Sequence, residues 1–390
     1  MSYKITGIEL TPLQVPYQDF IQELVDRSEG GLGMAIPSDT TWPWEFIICK
    51  LYCNDGSIGL GEVFVWLPET GEIGDNIINL INKILSHYVI GTNPFDIEKI
   101  LLKMDNNVTH NFVSKGLIDM AIYDLIGKLK NKPACDLISD KHMDKIPLAC
   151  LIPLGDIETS IKSVETFKNL GYKTFRCKLG RNIEDDVFIS ETIRKLIGPE
   201  MKMRVDYNQA YTPEEAVKAI KAIEKFKIMV AEQPVNKNDF IGMAYVQKRV
   251  EVPLMAHEGF FSLQDFQVLV ELGGIGVLGI NSERPGGVTN ALKALDYANK
   301  IGMKALVHNQ CLGIASAMLI HLVAAKFDLF THDTELMGNI MLKDDLIKKK
   351  IKYSNGFVHV PKGPGWGVEL DEKALEKYAT GPTTIIGKIS

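Results

Sequence analysis

The chain has 390 residues, of which 46% are hydrophobic and 24% charged, and a net charge of −6. This length fits two or three domains rather than one core, and the balance is that of an ordinary globular protein. The acidic surplus argues against a nucleic-acid partner, which needs a basic patch, and no 18-residue apolar run offers a membrane span.

Residues 3–15 and 45–53 are rich in β-branched and aromatic residues and predict strands. Asn54-Asp55-Gly56 follows as a hairpin turn, because Asp-Gly tolerates the positive φ such turns need. Ile58–Glu62 continues the meander. Between the first two strands lies a long loop with Gly30, Gly31, Gly33, Pro37, Trp42, Pro43 and Trp44. Residues 71–131 read as mostly helical, ending at Asn131-Lys-Pro133. Residues 1–135 therefore form an α+β domain.

From residue 146 the pattern becomes strand–helix alternation. Apolar strands at 146–151, 173–178, 202–206, 227–232, 253–257, 276–281 and 304–308 each precede an amphipathic stretch. Thr212-Pro213-Glu214-Glu215 and Ser262-Leu-Gln-Asp265 are helix-start signals, with a capping hydroxyl and an acid three residues on. Seven such units and a weak eighth predict parallel strands with right-handed crossovers, closed as a modified TIM (β/α)-barrel over residues 136–350. Residues 351–390 return to strand and turn character and are expected to pack back on the first domain. Six scattered cysteines, with no C-x-x-C spacing, read as free thiols. With no apolar signal core at the N-terminus, they suggest a cytoplasmic protein.

Polar residues gather at the C-terminal strand ends, where barrel active sites are built. In order they are Arg176 and Lys178, Asp206 and Asn208, Glu232, His257 and Glu258, Asn281, and His308. Three carboxylates converging on one mouth repel one another unless a divalent cation intervenes. Oxygen donors point to Mg²⁺, with Mn²⁺ as a substitute. Glu232 and Glu258 alone would also suit the acid pair of a barrel glycosidase, but that leaves Lys178, Asp206 and His308 without a task.

At these residues the chain resembles the mandelate racemase-like subgroup of the enolase superfamily. Gly59-Leu-Gly-Glu62, the Asp119…Tyr123-Asp124-Leu125…Gly127-Lys128 helix and Gly363-Pro-Gly365 carry the resemblance alongside the strand ends. It implies an α+β capping domain over a modified barrel, with Asp206, Glu232 and Glu258 as Mg²⁺ ligands. Lys178 and His308 would act on opposite faces of a small carboxylate substrate, taking a proton alpha to the carboxylate to give an enediolate. Glu335 would contact the substrate carboxylate, Asn208 would assist binding, and Trp42 and Trp66 would close over the site; a homo-oligomer is expected. Three departures stand out. Arg176 replaces the first lysine of a Lys-x-Lys pair and is a permanent cation. Asn281 replaces the aspartate expected behind His308. His257 competes with Glu258 as third ligand. A histidine without a charged partner suits an acid better than a base. This favours dehydration of a hydroxy acid of sugar type, with racemase, epimerase or cycloisomerase activity as the alternative.

Overall fold

The computed structural model describes residues 3–27 and 44–389. Trp42 and most of the glycine-rich loop lie outside these residues. The N-terminal strands β1 (Ile5–Leu13), β2 (Glu45–Cys53) and β3 (Ile58–Val65) form an antiparallel meander. Its Asn54–Gly56 turn has Gly56 at φ 87°, as the Asp-Gly signal requires.

Eight parallel strands then close a barrel: β4 (Lys145–Ile152), β5 (Thr174–Lys178), β6 (Lys202–Asp206), β7 (Ala231–Glu232), β8 (Leu254–Ala256), β9 (Val277–Ile280), β10 (Lys304–Asn309) and β11 (Thr334–Leu336). Closure comes from β11 pairing with β4, Glu335 opposite Ala149. Strand β7 is shorter than the sequence suggests, because Lys227 turns left-handed at φ 56° after a 3-10 turn. Both expected capping boxes form, Thr212 with Glu215 and Ser262 with Asp265. The tail divides. The hairpin β12 (Tyr353–Ser354) and β13 (Phe357–His359) adds to β4, whereas β14 (Thr384–Gly387) pairs antiparallel with β1 in the capping sheet.

The motifs that carried the family resemblance lie at the joint between the domains. Gly59 lets β3 approach helix Phe112–Lys130: a Cβ there would stand 2.1 Å from the Ala121 carbonyl oxygen. A Cβ at Gly127 would stand 2.5 Å from the Cα of Gly365. Asp124 accepts the backbone N–H groups of Leu60 (2.8 Å) and Trp366 (2.7 Å), and Asp119 accepts the N–H and hydroxyl of Thr289 (2.9 and 2.6 Å). Glu62 reaches across from β3 to the N-terminus of helix Gly313–Ala325. It accepts from Leu312 (2.6 Å), Ile314 (2.9 Å) and Ala315 (3.0 Å). A carboxylate there meets both the orphan N–H groups and the positive end of the helix dipole. These bonds hold the capping domain over the strand ends. All six cysteines are buried and free. Among the described residues, no helix is long and apolar enough to cross a membrane.

Candidate active site

Side chains alternate along a strand, so Arg176 and Lys178 both face the barrel axis while Phe175 and Cys177 join the outer core. The strand-end residues Arg176, Lys178, Asp206, Asn208, Glu232, His257, Glu258, Asn281, His308 and Glu335 are all buried. Arg176 is their hub. Its Nε donates to Glu232 Oε2 at 2.8 Å, one terminal nitrogen to Asp206 Oδ2 at 2.6 Å and Glu232 Oε1 at 2.7 Å, and the other to Glu335 Oε1 at 3.2 Å. Burial and three carboxylates at once explain why a guanidinium, which has five donors and stays charged, stands there. Glu335 is thus engaged by a cation of the chain itself. Asp333, two residues earlier, turns away and accepts from Thr174 Oγ1 at 2.6 Å.

Lys178 Nζ donates to Asp206 Oδ2 at 2.6 Å and bonds Asn208 Oδ1. Asn208 sits at φ 43°, a left-handed conformation that asparagine tolerates. From there its N–H donates to Asp206 Oδ1 (2.9 Å) and its Nδ2 to Glu258 Oε1 (3.1 Å). Asn208 therefore links Lys178 to two of the three expected ligands.

Across the mouth the rings of His257 and His308 stack with centroids 3.7 Å apart. His308 Nε2 lies 3.2 Å from Glu232 Oε1 without hydrogen-bond geometry. Burial, the neighbouring ring of His257 and the cations Arg176 and Lys178 push the pKa of His308 well below the usual value. The same surroundings favour the neutral ring, and its Nε2 has no hydrogen-bond partner. Asn281 departs from expectation. Its Oδ1 caps the N–H groups of Glu283 and Arg284, which turns Nδ2 toward His257 Nε2 at 3.2 Å, not toward His308.

The donor set suits a divalent cation. Glu258 Oε2 and His308 Nε2 are buried without hydrogen-bond partners. Donor atoms of Glu232, His257 and His308 lie within 4.8 Å of one another, as do those of Glu69, His257 and Glu258. Burial, reinforced by Asp206 and opposed by Arg176, pushes the Glu232 carboxyl up to about 8. A cation among these oxygens would relieve that strain.

Two site residues escaped the sequence reading. Glu69 sits in the capping-domain turn Leu67–Thr70, headed by half-buried Trp66. Arg284 donates to the Glu69 carbonyl oxygen at 3.0 Å and stands 3.5 Å from its carboxylate. A four-residue turn has no periodicity to mark it. Arg284 lies in the turn after β9, three residues beyond Asn281, which caps its N–H; that proximity to a strand-end residue is its only sequence signal.

Comparison with known proteins agrees with this architecture. Residues 160–374 match the family model described as enolase C-terminal domain-like. Residues 29–139 match the mandelate racemase / muconate lactonizing enzyme N-terminal domain. The chain is 31% identical to an L-Ala-D/L-Glu epimerase of Clostridium acetobutylicum over 83% of its own length and 90% of that protein. It is 25% identical to a chloromuconate cycloisomerase of Cupriavidus pinatubonensis, covering 88% and 94% of the two chains. The crystal structure of N-succinyl Arg/Lys racemase from Bacillus cereus superposes with a TM-score of 0.88 at 27% identity, covering 98% of this chain and 100% of that one. These relatives are isomerases, which weighs against the dehydratase reading. With both family models matched and the two-domain architecture in place, the chain belongs to the mandelate racemase/muconate lactonizing enzyme subgroup of the enolase superfamily.

Proposed function

We propose that the chain is a divalent-metal-assisted isomerase, a racemase or epimerase, acting at the carbon alpha to a carboxylate. The observation that carries this reading is the placement of Lys178 and of His308, with its unpartnered Nε2, on opposite sides of the carboxylate cluster. Strands β5 and β10 stand three strands apart the short way round the eight-strand barrel. His308 Nε2 can take the alpha proton from one face while Lys178 Nζ delivers one to the other. The reverse reaction exchanges their roles, so two unlike groups suffice for inversion. The isomerase activities named for the relatives favour this reading over hydroxy-acid dehydration.

Asp206, Glu232 and Glu258 would hold the metal ion, Mg²⁺ by their oxygen chemistry. Bound there, it would stabilise the negative charge that develops on the substrate carboxylate as the proton leaves. Arg176 keeps Asp206 and Glu232 oriented, and Glu69 and the turn headed by Trp66 help exclude water. The named activities of the epimerase and racemase relatives support a substrate whose alpha carbon bears an amide nitrogen, a dipeptide or an N-acyl amino acid.

The test is a panel of L-dipeptides and N-acyl-L-amino acids in D₂O with Mg²⁺, followed by alpha-hydrogen exchange and polarimetry. Exchange accompanied by loss of optical rotation is expected. Lys178→Ala and His308→Asn should each lower the rate about 10²–10⁴-fold, the usual contribution of a positioned acid or base. Formation of 2-keto acids from β-hydroxy acids, with no racemisation of any panel member, would overturn the proposal.

A further inference from the structure

A second group of metal-ligating side chains lies outside the active site, at the boundary between the two domains. The Cys135 sulfur, one Asp136 carboxylate oxygen and one His142 ring nitrogen lie within 4.8 Å of one another. Cys135 opens the short helix Cys135–Ile138, and His142 lies just before β4, at the end of that strand opposite the active-site mouth. One barrel helix, Gly313–Ala325, holds both ends of this segment. The Cys135 N–H donates to His321 Nδ1 at 3.3 Å, and His321 Nε2 donates in turn to the Trp366 carbonyl oxygen at 3.0 Å. At the other end the Met143 N–H donates to the Ala324 carbonyl oxygen at 3.1 Å.

The spacing of the three groups is close to that of ligands around a small ion. His142 Nε2 stands 3.0 Å from Asp136 Oδ1, and Cys135 Sγ stands 3.9 Å from the same oxygen. Tetrahedral Zn²⁺, with bonds of about 2.0–2.2 Å to N and O and about 2.3 Å to S, places its ligand atoms roughly 3.3–3.7 Å apart. Both observed edges lie within a few tenths of an ångström of that range. The imidazole is also turned as a ligating one is. With Nε2 toward the site, Nδ1 faces the Met143 carbonyl oxygen at 3.3 Å, the kind of acceptor that takes the second N–H of a metal-bound histidine.

We infer that Cys135, Asp136 and His142 form a binding site for a thiophilic divalent cation of the Zn²⁺ class, separate from the barrel mouth. A thiolate and an imidazole select such an ion over Mg²⁺, whereas the carboxylates at the mouth suit Mg²⁺. The ion takes the place of ligand protons, which leave to solvent. Cys135 is 1% exposed, while the side chains of His142 and Asp136 are 29% and 37% exposed, so the ion enters from the solvent side and a water can complete its coordination. Bound there, it ties the last helix of the capping domain to the approach to the first barrel strand, and it acts on stability. The inference goes beyond the proposed function and does not rest on it.

The experiment titrates full-length protein in saturating Mg²⁺ with Co²⁺, the spectroscopic stand-in for Zn²⁺. A thiolate-to-cobalt charge-transfer band should appear and be abolished by competing Zn²⁺, which gives the Zn²⁺ affinity. Among the described residues, Cys135 is the one cysteine grouped with other ligating side chains, so Co²⁺ at the barrel mouth gives no such band. Cys135→Ser should lose the band. His142→Ala, at an exposed position, should weaken Zn²⁺ binding more than about tenfold, the low end of what even outer contacts of a ligand contribute. Zn²⁺ should also raise the melting temperature of the wild type by more than that of His142→Ala. Absence of the band in the wild type overturns the inference, as does a band that persists in Cys135→Ser. Unchanged Zn²⁺ affinity in His142→Ala overturns it too, and decides alone should Cys135→Ser fail to fold. None of these readings depends on isomerase activity.

Discussion

Replacing Glu62 by glutamine tests whether the capping domain holds the active-site strand in place. The carboxylate accepts three backbone N–H groups, one on Oε1 (Leu312) and two on Oε2 (Ile314 and Ala315). An amide has one oxygen. In its better orientation that oxygen keeps Ile314 and Ala315, and the NH₂ group then faces the N–H of Leu312. A buried N–H without a partner costs about 1–3 kcal/mol. Burial pushes the Glu62 carboxyl up to about 8, so above that pH losing negative charge at a helix N-terminus adds about 0.3–1 kcal/mol. A local destabilisation of about 2 kcal/mol corresponds to roughly 30-fold faster amide exchange, at 1.4 kcal/mol per decade. Hydrogen exchange read by mass spectrometry should therefore accelerate about 10–100-fold at residues 312–315, while helix Phe112–Lys130 keeps its protection. This segment begins four residues after His308, so isomerase activity should fall as well. Unchanged exchange at residues 312–315 would refute the claim that Glu62 secures this helix from the capping domain.

Gly127→Ala should lower stability by about 1–3 kcal/mol, read as a reduced melting temperature, because its new methyl meets the Gly365 backbone at 2.5 Å. Arg176→Met removes the cation shared by Asp206, Glu232 and Glu335; about 3–5 kcal/mol should be lost in EDTA, with partial recovery in Mg²⁺, by denaturant titration. Burial pushes the Glu232 carboxyl up from an ordinary 4.5 to about 8. Its stability contribution is therefore present below the lower value and lost as pH rises toward the upper. In EDTA the melting temperature of wild type should fall through this window relative to Glu232→Gln, and saturating Mg²⁺ should flatten the fall. A pH slope unaffected by either change would assign it to other groups.

Local chemistry made much of this protein legible in sequence. Capping boxes at Thr212 and Ser262, the Asp-Gly turn, and strand β2 at Glu45–Cys53 depend on neighbours within a few residues, and they formed where the sequence indicated. The polar strand ends were legible too, because the parallel barrel strands carry their C-terminal residues to one rim. What each rim residue touches was not. Asn281 lies at the end of β9, between β8 and β10, and sequence gives no preference for His257 over His308. Two backbone N–H groups in the following turn decided it by claiming Oδ1. Arg176 looked like a neighbour of Lys178 along the strand, but the barrel brings it to Asp206, Glu232 and Glu335, 30, 56 and 159 residues away. Glu69 has no sequence signal because its partner, Arg284, lies in the other domain. Residue types and strand ends follow from short-range pattern. Hydrogen-bond partners and the protonation of buried groups depend on which atoms meet in three dimensions, and only the closed barrel with its capping domain determines that.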